Sequence, residues 1–268
     1  MAEFLLCIDV GNSRTKFGLF QHEPISRGRA GLPECLAAAA VAHGQTVHWD
    51  KLRKELNLQR TDGVRGLLAG SSPDSVAVIR NDWPVEWAAP LLLDDVSRFP
   101  LEIRLDAPNQ AGVDRILNAV ACNAIRPPGI PALIVDTGTA TTIDAVSPEG
   151  VFEGGAILPG FELCARALHQ YTALLPFVTI DELCNESHEP LGTNTHEALR
   201  SGLLWGQIGA IRELVQRLSG RWEAAPFLLL TGGGAPLAAS ELLEARWEPC
   251  LSLQGLAVVA AHVMRDVP

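Results

Sequence analysis

Apolar residues in this chain come in short runs that end on an acid. The clearest case is the stretch Leu133 to Asp144, LIVDTGTATTID. Ala132 to Val135 is an apolar run of strand length, Asp136-Thr137-Gly138-Thr139 is a turn where glycine permits close backbone approach, and Thr141 to Val146 returns rich in β-branched residues. The pattern predicts a hairpin with a polar bend. Leu5 to Ile8, then Asp9-Val10-Gly11-Asn12-Ser13, then Thr15 to Phe20 repeats it. Two copies of strand, Asp-x-Gly, hydroxyl and second strand imply two facing half-sites for a phosphate.

The remaining pattern alternates strands and helices, which indicates an α/β architecture. Alanine-rich Pro33 to His43 reads as a helix stopped by Gly44, and Asp50 to Leu58 as a shorter one. Val64 to Ala69 is a strand, and Ser72-Pro73 opens a helix over 74–81. Leu91 to Leu93 and Leu101 to Leu105 are further strands. Gly112 to Ile125 is a helix, because Val113, Ile116, Leu117 and Val120 share one face. After a paired-glycine strand within Gly150 to Gly160 comes a helix over Phe161 to Tyr171, then an acidic surface loop over Asp181 to Pro190. Thr193-Asn194-Thr195 offers caps, Thr195 among them, for a long helix from His196 to Leu218, whose Gly202, Gly206 and Gly209 suit close packing on another helix or subunit. Phe227 to Leu230 is a strand ending in Thr231-Gly-Gly-Gly-Ala235, and a strand near Cys250 and a helix from Leu256 to Met264 follow. Because the hairpin recurs, two domains are expected, 1–111 and 112–268, with the stiff link Arg126 to Pro131 as the candidate hinge near their boundary.

Composition narrows the function. A hydrophobic fraction of 47% with 19% charged residues describes a globular chain. No run reaches the ~20 apolar residues of a membrane helix, and the start lacks a basic n-region, so no membrane partner, no signal peptide and a cytoplasmic location are expected. The net charge of −10 argues against a nucleic-acid surface. Six cysteines without a Cys-x-x-Cys pair read as reduced, mostly buried thiols, and the seven histidines show no ligand spacing.

Phosphoryl transfer needs held phosphates, Mg²⁺ and a base near the acceptor hydroxyl. Asp9 and Asp136, each ending a buried strand, are candidate cation ligands, since Mg²⁺ needs only one or two carboxylates. The backbone of Gly11 to Ser13, of Gly138 to Ala140 and of Thr231 to Ala235 can donate to phosphate oxygens, and Lys16 adds a positive charge. No GxxxxGK[ST] is present, so a P-loop is excluded.

Asp9-Val10-Gly11-Asn12-Ser13-Arg14-Thr15-Lys16, Gly112-Val113-Asp114-Arg115, Asp136 to Asp144 and Gly154-Gly-Ala-Ile-Leu-Pro-Gly160 occur in the order and spacing of type III pantothenate kinases, which the chain resembles over nearly its whole length. Asp-x-Gly alone indicates only the wider superfamily of acetate kinases, sugar kinases, actin and heat-shock chaperone ATPases. The resemblance implies two ribonuclease H-like domains with mixed β-sheets flanked by helices, a nucleotide cleft between them, and a homodimer. It implies ATP-dependent phosphorylation of pantothenate to 4'-phosphopantothenate, the first step toward coenzyme A, with Mg²⁺ and K⁺ or NH₄⁺. By position, Asp9 to Lys16 and Thr139 meet ATP, with Asp9 near Mg²⁺. Asp136 meets the monovalent cation, Gly112 to Arg115 and Thr195 meet pantothenate, and Asp114 is the general base. Leu105 stands where many members carry a tyrosine lining the pantothenate site, and Ala107 replaces the usual asparagine. Two other readings share the fold: a kinase of a different small hydroxyl substrate, and a non-enzymatic accessory factor for transcription.

Overall fold

Each Asp-x-Gly hairpin lies within a five-stranded sheet. The structure is a computed structural model and describes residues 4–22, 31–58, 63–185 and 189–264. In chain order the elements are β1 (Phe4–Val10), β2 (Arg14–Gln21), β3 (Cys35–Ala42), α1 (Trp49–Glu55), β4 (Val64–Gly70), α2 (Pro73–Asn81), β5 (Leu91–Leu92) and α3 (Val113–Ile125). Then come β6 (Ala132–Thr137), β7 (Ala140–Val146), β8 (Phe152–Pro159), α4 (Phe161–Gln170), α5 (Ile180–Asn185), α6 (Thr195–Ser219), β9 (Phe227–Thr231), α7 (Ala235–Ala239), β10 (Arg246–Trp247) and α8 (Leu251–Val263).

The sheet orders are β3-β2-β1-β4-β5 and β8-β7-β6-β9-β10. In both, the first three strands of the sequence pair antiparallel and the next two add parallel to the first strand's free side. This is the mixed, ribonuclease H-like topology expected, and it occurs twice. Strands β1 and β6 are buried along almost their whole length, as apolar runs covered on both faces should be.

The chain divides into two compact units, Met1–Arg126 with Cys250–Pro268, and Pro127–Pro249. The division falls on the proline-rich link. It differs from the 1–111 and 112–268 partition by placing α3 and α8 with the first sheet. There α8 packs on α3 and β1 and buries Leu251, Leu253, Leu256, Val259 and Val263, each contributing about 1.5–3 kcal/mol. The first unit's core joins Leu6, Ile8, Phe17 and Leu68 to Leu52, Leu56 and Ile79 of its helical side. Beside it Trp49, Trp83 and Trp87 meet edge to face. In the second unit, Leu133, Val135, Ile143 and Leu230 pack with Ile211 of α6, and a satellite core joins α4 to α6 through Phe161, Ala165, Leu203 and Ile208.

Several sequence expectations need correction. Pro33 to His43 is not a helix: Cys35–Ala42 is the edge strand β3, alternately half-buried and exposed. Ala37, Ala39 and Val41 pack on the core, and pairing with β2 outweighs alanine's helical preference. Leu101 to Leu105 forms only an isolated bridge at Ile103. The stretch Asp181 to Pro190 begins as α5, while residues 186–188 lie outside the described residues. The last strand, β10, precedes Cys250, which caps α8, and the helix starts at Leu251, five residues before the expected Leu256. All six cysteines are free, but only Cys7 and Cys122 are fully buried, and Cys184 is exposed. Burial pushes the Cys122 thiol up to about 12. Among the described residues no helix is long and apolar enough to cross a membrane.

α3 and α8 approach each other closely at Gly255. A Cβ on Gly255 would stand 2.0 Å from the Leu117 carbonyl oxygen, which is backbone and cannot swing aside. Gly255→Ala should therefore lower stability by about 2 kcal/mol or more, read as a lower urea midpoint at unchanged m value.

Candidate active site

In the first unit the sequence of β1 runs from core to acid without a break. Asp9 faces Lys16 on β2 and Ala69 on β4 in the strand register, and is only 1% exposed. Its Oδ2 accepts a hydrogen bond from the Ser252 hydroxyl at 2.7 Å and stands 3.5 Å from the Lys16 ammonium. Its Oδ1 is buried with no hydrogen-bond partner among the described residues. After Val10 the chain turns sharply, the Gly11 N–H donating to the Arg14 carbonyl at 3.1 Å. Asn12, Ser13 and Arg14 are exposed on this turn, whereas Thr15 is buried.

The end of β4 brings the next group. Ser71 N–H donates to the Val10 carbonyl at 3.1 Å, so the turn into α2 sits beside the end of β1. The Ser71 hydroxyl donates to Asp114 Oδ1 at 3.2 Å, and the Arg115 N–H donates to the same oxygen at 3.0 Å. Gly112 caps α3, and a Cβ there would stand 2.5 Å from that oxygen, so the seat of Asp114 depends on a residue without a side chain. Asp9, Lys16, Asp114 and Arg115 thus collect at one end of the first sheet, an acid at a helix N-terminus beside an acid at a strand end.

In the second unit Asp136 is half-buried at the same place in β6, opposite Thr142 on β7 and Thr231 on β9. The buried Thr137 hydroxyl ties the two parallel strands by donating to the Thr231 carbonyl at 2.9 Å. The glycine-rich turn then folds back: Gly234 N–H donates to the Thr137 carbonyl at 2.9 Å. Gly232 has φ +94, and a Cβ on it would stand 2.5 Å from Asp136 Oδ1. Thr139 is exposed at the bend, its carbonyl accepting from Gly160 N–H at 3.0 Å.

Thr195 is exposed and is not the cap of α6. Asn194 is, its Oδ1 accepting from Glu197 N–H at 3.0 Å. Thr195 is then the first helical residue, on a turn where Glu197 accepts from the Thr193 N–H and hydroxyl, each at 2.8 Å. Leu105 is half-buried in irregular chain between the bridge at Ile103 and α3.

Two residues of this constellation escaped the sequence reading. Ser71 carries a weak signal, a strand-end Gly70-Ser-Ser-Pro turn. Ser252 carries none, because it is 243 residues from its partner. Among the described residues no three His, Cys, Asp or Glu side chains form a metal cluster. The buried Asp9 Oδ1 fits a hard cation, which needs only one or two carboxylates and completes its shell with other oxygens.

Each of the two units is a ribonuclease H-like sheet whose central strand ends in Asp-x-Gly, and the pair defines the fold. A Baf family transcriptional activator from Campylobacter jejuni shares it with TM-score 0.59 at 18% identity, covering 97% of this chain and 99% of that one. The 2-hydroxyisocaproyl-CoA dehydratase activator from Clostridium difficile, solved with bound ADPNP, does so with TM-score 0.51 at 11% identity, covering 98% and 95%. These likenesses establish the fold. Sequence goes further: the chain matches the type III pantothenate kinase family over residues 5–217 and belongs to it. It is 33% identical to the type III pantothenate kinase of Gluconobacter oxydans over 96% of this chain and 92% of that protein. With that of Thermobifida fusca it shares 34% identity over 95% and 98%.

The Thr193–Glu197 pair gives a pH test of the turn that carries Thr195. The Thr193 N–H and then its hydroxyl hold the Glu197 carboxyl below the usual carboxylate range. A depressed folded value means the cap's contribution is complete above the unfolded value and is lost as pH falls through the folded one. Thr193→Val should raise the Glu197 pKa in a carbon-detected NMR titration. The difference in amide protection of the first turn of α6 between wild type and variant should vanish on acidification.

Proposed function

We propose that this protein transfers the γ-phosphoryl group of ATP to the primary hydroxyl of pantothenate, forming 4'-phosphopantothenate at the entry to coenzyme A synthesis. The observation that carries the reading is the convergence of Asp9, Lys16 and Asp114 at one end of a single sheet, in a chain of this family. The turn from Val10 to Thr15 offers backbone N–H groups to the triphosphate and Lys16 neutralises it. Thr139 meets a phosphate from the second hairpin. Asp9 holds Mg²⁺, which supplies charge neutralisation on the phosphates when bound. Asp136 serves the monovalent cation, K⁺ or NH₄⁺.

Gly112 to Arg115 and Thr195 hold pantothenate. Asp114 orients the acceptor hydroxyl and takes its proton. An ordinary carboxylate suffices for this, because a loose phosphoryl-transfer transition state demands little proton removal before the phosphorus–oxygen bond has broken. Ser71 and the Arg115 N–H, both on Oδ1, fix the carboxylate's orientation. Most of the catalysis is positioning and electrostatics.

The protein acts as a homodimer in the cytoplasm. Along α4 and α6 runs an apolar groove of about 500 Å³, lined by Ala167, Leu168, Leu199, Gly202, Leu203 and Gly206. Cβ atoms built on Gly202, Gly206 and Gly209 would meet nothing within 4 Å, so the close packing these glycines allow is not made among the described residues. Leu163 is exposed on the same helix as Leu168. A second copy is the occupant that buries this face.

Asp114→Asn should lower kcat by roughly 10²- to 10⁴-fold in an assay coupling ADP release to pantothenate addition, with nucleotide binding retained. Turnover independent of pantothenate would point to another superfamily kinase or hydrolase, and ligand binding without turnover to a regulator. Replacing K⁺ by Na⁺ should slow the wild type, and Asp136→Asn should abolish that difference. Gly206→Arg should give a monomer by light scattering; a persisting dimer would show that copies meet elsewhere.

A further inference from the structure

Asp9 is an ionisable side chain sealed from water, yet only one of its oxygens is provided for. Both the Ser252 hydroxyl, at 2.7 Å, and the Lys16 ammonium, at 3.5 Å, converge on Oδ2. The equally buried Oδ1 meets no donor among the described residues. Buried carboxylates ordinarily gather donors on both oxygens, since an unsatisfied one is costly. Loading both groups on Oδ2 fixes the rotation of the carboxylate and leaves Oδ1 to a ligand from outside the chain.

The donor itself has little freedom. Ser252 is 4% exposed in the first turn of α8, between the buried Leu251 and Leu253. The register of α8 is locked from three sides. Gln254 Nε2 donates to the Pro33 carbonyl at 3.1 Å, a Cβ on Gly18 would stand 3.0 Å from Leu253, and Gly255 presses on the Leu117 carbonyl.

We propose that Ser252 is a positioning residue for the divalent cation, its hydroxyl holding Asp9 in the orientation that presents Oδ1 to the Mg²⁺ accompanying ATP. The proposal rests on the reading of Asp9 as the Mg²⁺ carboxylate. Outer partners of this kind set the direction and basicity of the ligand they touch, and their loss weakens metal binding without removing a ligand. A serine that only satisfied a buried acid would matter equally with and without metal.

Calorimetric titration of a non-hydrolysable ATP analogue, across a Mg²⁺ series and in EDTA, separates the two roles. Ser252→Ala should bind the analogue like wild type in EDTA, but need about tenfold more Mg²⁺ for half of the Mg²⁺-dependent gain. Ser252→Thr, which restores the hydroxyl, should recover the wild-type midpoint. Asp9→Asn should lose the Mg²⁺ response. If Ser252→Ala keeps the wild-type midpoint while Asp9→Asn loses the response, the positioning role is overturned and the reading of Asp9 stands. If Asp9→Asn keeps the response, the reading of Asp9 fails and the proposal with it. Should alanine prevent folding, Ser252→Cys, similar in size and a weak donor, takes its place with the same two outcomes.

Discussion

The hydrogen bond from Ser252 to Asp9 carries more of this structure than its length suggests. A carboxylate at the end of a buried strand must be tolerated by the core around it. The chain meets that demand by bringing a helix from the far end of the sequence onto the first sheet. That helix can approach closely only because Gly255 lets it touch the backbone of α3 at Leu117. The same α3 begins at Gly112 and seats Asp114. One packing contact between two helices therefore bears on both Asp9 and Asp114.

The two hairpins share a topology but not an environment. Asp9 is sealed and braced by a lysine and a serine, whereas Asp136 is half-buried against the backbone of a glycine-rich turn. The frame is the same in both units, and the neighbours of each acid make the two sites unequal.

Much of this was legible in the residues. The hairpins, α3 and the long α6 follow from apolar periodicity and from turns with a clear chemical reason, such as Gly138 in the bend after Asp136. The site acids were legible for the same reason, since each closes an apolar run or opens a helix. What escaped depends on distant parts of the chain. The alanines of Pro33 to His43 favour a helix locally, and only the free edge of β2 makes a strand of them. The helix α8 starts before Leu256 because Leu251 and Leu253 have a buried face waiting in the first unit. Ser252 has no local pattern at all, being one hydroxyl in a turn of helix until the fold sets it beside Asp9.

The return of the last helix to the first unit also orders events in time. A chain made from its N-terminus completes the second unit, Pro127–Pro249, before α8 exists. At a synthesis rate of about 5–20 residues per second, α3 waits roughly 6–25 s for the helix that covers it, and β1 roughly 12–48 s. During that interval α3 lacks the helix that packs on it at Leu117, and Asp9 lacks its donor. The first unit to be translated is thus the last to be finished, and a nascent chain halted before residue 250 leaves the face that α8 covers open to chaperones and proteases.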